Sequence, residues 1–314
     1  MPEASLDRAV RALLTRFRRQ RPLRSGSLLI TILGDAIAPR GGTVTLGSLI
    51  KLAEPFGLPE RLVRTSVGRL AKDGWLMSRR SGRQSEYALT RHGRERFAEA
   101  TQRIYSEPPR TWDGNWTLLL LPPSTINRRD LIREQMLWLG FGQLSPGVLA
   151  HPSRGIADTQ RQLCEIDAGN DAIVLQAQSG GLAQDRHLIS NGWDLDELAQ
   201  SYRRFVAGFA PVAAILEKDS RPTAERAFAV RTLLIHEYRK IHLRDPLLPH
   251  GLLPKDWVGT AAYELCRALY RQVFGAAEAY LSDNGRSLSG SLPPPVNETM
   301  DRFADRSPQQ GRAG

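Results

Sequence analysis

The 314-residue sequence predicts an α+β protein in three consecutive parts. Three observations carry that reading. A basic first third sets four helical patterns ahead of two strand patterns and a closing helix. A middle stretch alternates strand and helix in the order βαββαβ. The chain that follows is patterned almost entirely as helix.

The elements can be justified in order. Leu6, Val10, Leu13, Leu14 and Phe17 recur at helical spacing and leave an arginine-rich opposite face. Ser27 to Ala38 is a second apolar helix and Thr45 to Ala53 a third, with Thr45 as its cap. Glu54-Pro55-Phe56-Gly57 breaks the pattern. Pro59 to Asp73 is a fourth helix with proline in its first turn, stopped by Gly74. Trp75 to Arg80 and Ser85 to Leu89 read as a hairpin around Ser81-Gly82-Arg83-Gln84, and Thr90 to Tyr105 as a closing helix. This order is that of a winged helix-turn-helix, assigned to residues 1–105. Pro108 and Pro109 end it.

In the middle part, 111–178, Trp116 to Leu121 is a strand, Asn127 to Leu139 a helix, and Gly142 to Leu144 and Val148 to His151 two short strands. Arg154 to Cys164 is a helix and Ala172 to Ala177 a last strand, the element order of a ferredoxin-like domain. Residues 190–283 are expected to form a helical C-terminal domain for effector binding or dimerisation. Residues 284–314, rich in Ser, Gly, Pro and Gln, are expected to be a disordered tail.

Charge is the first functional signal. The net charge is +10, yet residues 1–105 hold 20 Lys/Arg against 9 Asp/Glu, and residues 106–314 hold 23 against 24. A basic module joined to a neutral remainder fits a polyanion binder, although a solvated basic surface gives the same sum. Two cysteines, Cys164 and Cys266, are no disulfide framework and fit the cytoplasm. No apolar run approaches membrane-spanning length, and Leu6 to Arg24 lacks the apolar core of a secretory signal.

The fourth helix sharpens the signal. At 100° per residue, Leu62, Val63, Ser66, Val67 and Leu70 fall on one side, and Arg61, Arg64, Thr65, Gly68, Arg69 and Lys72 on the other. An ordinary surface helix mixes both signs on its polar face. Here the acids stand only at the ends, at Glu60 and Asp73. Arginine pairs with guanine edges in a major groove, and glycine permits close approach. The hairpin tip adds Arg79, Arg80 and Arg83, placed to meet phosphates or a minor groove. An RNA binder should interleave stacking aromatics, but Trp75 and Tyr87 stand at core positions.

The sequence resembles the PaaX-type repressors of phenylacetate-degradation operons over nearly its whole length. The resemblance rests on Leu23 to Asp35 (LRSGSLLITILGD), Val63 to Leu70 (VRTSVGRL) with Asp73-Gly74-Trp75, and Trp112 to Trp116 (WDGNW). Leu234 to Lys240 (LIHEYRK), Leu243 to Pro249 (LRDPLLP) and Leu252 to Trp257 (LLPKDW) add to it. It implies a transcriptional repressor, homodimeric on operator DNA, released by an aryl-acyl-CoA such as phenylacetyl-CoA; the motifs themselves lead to an expectation of no cofactor and no metal.

Enzyme chemistry finds little support. There is no phosphate-binding glycine loop and no nucleophile elbow. His236-Glu237 begins like a zinc-protease motif, but Lys240 stands where the second histidine belongs. The middle part resembles the small CRISPR-associated nucleases, in which a metal-binding Asp follows the first strand. Here Leu118 to Leu121 runs into Pro122-Pro123-Ser124, which reads as a structural or dimerising unit. A metal-dependent nuclease is the alternative kept from another class.

One helix remains. Apolar residues surround Ala227 to Arg244, yet Arg231, Tyr238, His242 and Asp245 share one stripe. Such a stripe is either an internal hydrogen-bonded network or a wall of an effector pocket. The effector reading takes Arg231, Tyr238, Arg239, His242 and Arg244, whose cations would meet the phosphates of an acyl-CoA.

Overall fold

Ten consecutive residues, Ala227 to His236, are buried, seven of them apolar and three, Arg231, Thr232 and His236, polar. The structure is a computed structural model that describes residues 2–20, 25–107, 111–123, 128–218, 221–299 and 302–303. In chain order it contains α1 (Pro2–Arg18), α2 (Ser25–Ile32), β1 (Thr43–Thr45), α3 (Leu46–Ala53), α4 (Glu60–Lys72), β2 (Leu76–Ser81), β3 (Gln84–Leu89) and α5 (Arg91–Tyr105). Then come β4 (Trp116–Leu120), α6 (Arg129–Trp138), β5 (Gly142–Ser145), β6 (Val148–His151), α7 (Ile156–Glu165) and β7 (Ile173–Ala177). The remainder is α8 (Leu182–Gly192), α9 (Leu195–Leu216), α10 (Ala224–His242), α11 (Val258–Asn284), β8 (Arg286–Ser287) and β9 (Gly290–Ser291). All strand pairs are antiparallel.

The chain divides into two compact units rather than three consecutive ones. The first comprises Met1–Ser106, Arg203–Lys240 and Thr260–Gly314; the second comprises Glu107–Tyr202 and Ile241–Gly259. The stretch 190–283, expected to be a C-terminal domain, contributes residues to both units. The physical reason is burial. Most of α10 is apolar on every side and lies in the core of the first unit, where Phe228 stacks on Tyr280 of α11 and meets Phe56.

In the first unit, β1 lies between α2 and α3 in the chain, β2 and β3 follow α4, and the three strands form a sheet of order β1-β3-β2. Thr45 caps α3 by accepting from the Ser48 amide at 3.3 Å, and Thr90 caps α5 by accepting from Gly93 at 2.9 Å. Gly74 stops α4 at φ 76°, and Gly82 opens the two-residue β2–β3 turn at φ 55°, both left-handed positions that suit glycine.

A buried charge cluster ties this unit together. The turn Leu33–Ile37 is π-helical and carries Asp35 into the core. Asp35 Oδ2 accepts from Arg231 Nε at 2.7 Å, and its Oδ1 accepts from Arg302 Nη1 at 2.7 Å and from Tyr105 Oη at 2.6 Å. Arg231 also donates to Glu278 at 2.5 Å, and Glu278 accepts from Arg40. Burial pushes the Asp35 carboxyl up, but the charges of Arg231 and Arg302 outweigh it, so the pKa lies below the usual value.

The expectation of a disordered tail fails for its described residues. β8 and β9 form a short hairpin, the Arg286 amide donates to Ser48 Oγ at 2.8 Å, and Phe303 is buried against Tyr105, Tyr263 and Tyr270. Two anchoring side chains, Arg302 and Phe303, override the composition of the stretch. Residues 304–314 lie outside the described residues.

The second unit holds a four-stranded sheet of order β5-β6-β4-β7 with α6 and α7 packed on one face. Leu119, Leu121, Ile132, Met136, Phe141, Leu149 and Leu163 form its core. The helix α8, for which the sequence reading assigned no element, packs on β5 and presents Trp116 Nε1 with the buried carboxylate of Asp185 at 2.8 Å.

Candidate nucleic-acid interface

The two sides of α4 separate in the structure as they do on the helical wheel. Val63, Ser66, Val67 and Leu70 are buried and Leu62 half-buried, while Arg61, Arg64, Thr65, Gly68, Arg69 and Lys72 are all exposed. The buried side packs on α2, where Ser66 Oγ lies 2.9 Å from Ser25 Oγ. Arg64 is held by Glu60 one turn earlier at 2.6 Å, with both side chains more than half exposed. Such a pair contributes at most about 1 kcal/mol and leaves Arg64 free to exchange partners. Thr65 Oγ1 turns back to the Arg61 carbonyl at 2.9 Å. A Cβ on Gly68 would meet nothing within 4 Å, so the fold itself does not require glycine there.

The β2–β3 hairpin projects beside this helix in sequence, and residues 77–84 are all exposed. Arg79 stands opposite Glu86, Arg80 opposite Ser85, and Arg83 lies in the turn. Glu86 is buried and its carboxylate accepts from the Leu288 amide at 2.6 Å, so the outer face of the hairpin keeps a single sign. The first unit thus gathers all eight arginine, lysine and threonine positions expected to touch DNA onto two exposed surfaces. The short β1, which the sequence reading missed, pairs with β3 and steadies the hairpin base. Its only sequence signal is the alternation Thr43-Val44-Thr45.

The five residues expected to hold an effector fall on both units, Arg231, Tyr238 and Arg239 on the first and His242 and Arg244 on the second. Arg231 is fully buried with Asp35 and Glu278. Tyr238 packs on Phe205. Arg239 donates to Thr31 Oγ1 at 2.8 Å and to the Ser27 carbonyl at 2.6 Å, tying α10 to α2, and burial lowers its pKa to about 10. His242 is buried in the second unit, where Tyr202 Oη reaches its Nδ1 at 3.1 Å and donates to Asp245 at 2.6 Å. Arg244 is exposed, 3.8 Å from Glu197. Within the first unit Arg231 thus belongs to a buried ion network, and within the second His242 and Asp245 belong to a hydrogen-bonded one with Tyr202.

A concave surface does occur in the second unit: a cleft of about 740 Å³ between the end of α8, the start of α9 and residues 252–255. Trp193, Leu252 and Pro254 give it apolar wall, and Arg186 and Lys255 give it cations. At the end of β4, where a nuclease of this architecture would carry its metal-binding acid, the Leu121 carbonyl instead accepts from Arg129 at 3.0 Å. Among the described residues no helix is long and apolar enough to cross a membrane.

A one-signed helix face beside a one-signed hairpin defines the class, a DNA-binding regulator of transcription, and comparison with known proteins agrees. Residues 24–93 match the family described as PaaX-like protein, residues 109–189 the PaaX protein central Cas2-like domain, and residues 193–283 the PaaX-like protein C-terminal domain. The chain belongs to the PaaX family, whose members are regulators rather than enzymes. It is 38% identical over 293 residues to the transcriptional repressor PaaX of Escherichia coli (strain K12), covering 92% of this chain and 93% of that one. It is 26% identical over 110 residues to an uncharacterized 16.5 kDa protein of Latilactobacillus sakei, covering 35% of this chain and 75% of the relative. Among solved structures, uncharacterized protein Rv0674 from Mycobacterium tuberculosis is similar at a TM-score of 0.48 and 24% identity, over 74% of this chain and 91% of that one.

Proposed function

We propose that this protein is a cytoplasmic transcriptional repressor that binds double-stranded operator DNA as a homodimer and is released by an aryl-acyl-CoA such as phenylacetyl-CoA. The observation that carries the reading is the unbroken cationic, glycine-containing face of α4. In this reading the first unit contains a winged helix-turn-helix: α3 and α4 are the helix pair, α4 enters the major groove, and β2–β3 is the wing. The wing arginines meet phosphates, which position the protein without reading sequence. Arg80→Ala is therefore expected to weaken operator and unrelated duplex by the same factor and to lower the salt slope by about 1. Fluorescence anisotropy on both duplexes across a salt series measures this. Equal affinity of the unaltered protein for its own upstream DNA and for a scrambled duplex would overturn the whole reading.

The dimer is proposed through the second unit, as a ferredoxin-like domain whose strand order supports that name. The sheet face away from α6 and α7 carries Leu120 between Val148 and Ile173 in register, and Leu118 between Ala150 and Leu175. Ile173 is 50% and Leu175 42% exposed, an apolar surface on an edge strand. Sedimentation should give a dimer of the 35.0 kDa chain that Ile173→Asp with Leu175→Asp converts to monomer. A monomeric unaltered protein at micromolar concentration overturns this.

The effector is proposed to enter the α8–α9 cleft, with its ring against Trp193 and its phosphates toward Arg186 and Lys255. Isothermal titration of phenylacetyl-CoA should show binding that Arg186→Ala with Lys255→Ala weakens tenfold or more. Free phenylacetate should bind poorly. Full affinity in the double variant moves the site elsewhere.

A further inference from the structure

The first helix carries a charge pattern that the α4 reading leaves unused. Leu6, Val10, Leu13 and Phe17 bury one side of α1, and the exposed sector opposite holds Arg8 and Arg11, with Arg19 just past the helix end. On α5, α6 and α7 a surface arginine is paired with an acid three or four residues away: Arg91–Glu95, Arg133–Asp130 and Arg161–Asp158. On α1 the carboxylate of Asp7 goes instead to Arg226 of α10 at 2.6 Å. Arg11 reaches only the Asp7 carbonyl, at 3.3 Å. The helix dipole favours cations in the last turn, which accounts for Arg16 and Arg18 but gives nothing to Arg8 and Arg11 in mid-helix.

Two further contacts fix where the stripe points. Arg18 donates to the carbonyls of Pro55 and Phe56 at 3.0 and 3.2 Å, which pins the end of α1 to the turn that leads into α4. Arg16 donates to the Arg204 carbonyl at 3.4 Å, and its guanidinium lies over Gly208, where a Cβ would come within 2.6 Å. The exposed Arg203 and Arg204 of α9 therefore extend the cationic surface.

We infer that Arg8, Arg11 and Arg19 form a second DNA-contacting surface that tracks the phosphate backbone flanking the bases read by α4. Along the helix axis the three span roughly 16 Å. That matches about five base-pair steps at 3.4 Å each, so the three arginines can meet three phosphates along one strand. The surface supplies affinity without sequence preference. It rests on the reading of α4 as the recognition element, and one experiment separates the two. Anisotropy titrations are run across a salt series with the unaltered full-length protein and with Arg8→Ala, Arg11→Ala, Arg19→Ala, on a minimal operator duplex and on one extended by ten base pairs at each end. Neither Arg16 nor Arg18 is touched, because both hold backbone carbonyls.

The expected result is a slope of log K against log salt that is less steep by about 2–3 for the triple variant on the extended duplex only. Affinity there falls ten- to a hundredfold, and the preference for operator over scrambled sequence is unchanged. Equal slopes for the two proteins on the extended duplex overturn the inference and leave the α4 reading intact. Loss of the preference for operator sequence in the triple variant also overturns it, since the stripe would then be reading bases.

Discussion

Asp35→Asn is expected to unfold or loosen the first unit while leaving the second ordered. Asp35 is buried and accepts from Arg231, Arg302, Tyr105 and Tyr270. Its removal leaves Arg302 without a carboxylate and Arg231 with only Glu278, which Arg40 also uses. Breaking one member of a buried ion network costs about 3–5 kcal/mol, because the remaining charges stay desolvated. Hydrogen exchange should speed up in residues 25–40 and 224–240 and stay unchanged in residues 142–151. Unchanged exchange in both would show that the cluster does not hold the unit together. The same carboxylate sets an acid limit. Its folded pKa lies below the unfolded value of about 3.9, so its stabilisation is present above that pH and is lost as pH falls through the folded value. The first unit of the unaltered protein should therefore open on acidification below about pH 4, and Asp35→Asn should remove that part of the dependence.

This cluster also explains where sequence reading stops. The face of α4 is legible because its information is local: thirteen residues, one period, and no acid after Glu60 at the first position. The cap Thr45 and the Gly74 stop are legible for the same reason. Asp35 pairs with partners 196 and 267 positions away, and nothing near it in sequence announces them. Arg231 could be read as buried, and its stripe as polar, but not which acid it meets. The stripe's four members then part company because α10 passes from one compact unit to the other between Lys240 and Ile241. Composition misread residues 284–303 because a window average is insensitive to two anchors. Phe303 inserted among three tyrosines and Arg302 on Asp35 are enough to hold the stretch. β1 escaped because three residues carry too little alternation to outweigh the helix cap that ends it.

The largest functional effect is expected from Arg64→Ala combined with Arg69→Ala. Both side chains are exposed on the face of α4 that carries no acid between Glu60 and Asp73. Neither contributes to the core, so the fold should be preserved, and circular dichroism checks that. If each arginine makes a bidentate contact to a guanine, each is worth about 1–3 kcal/mol of discrimination. The double variant should then lose about 30- to 10⁴-fold in operator affinity while its weak binding to random duplex changes little. Arg64 must first leave Glu60, an exposed pair at 2.6 Å. Glu60→Gln removes that competitor and a like-charged neighbour of the phosphates, so it should tighten operator binding by a few-fold. The two variants move affinity in opposite directions for one geometric reason, which a general loss of folding could not imitate. Operator binding unchanged in the double variant would mean that α4 lies outside the groove and that the cationic face serves only solvation.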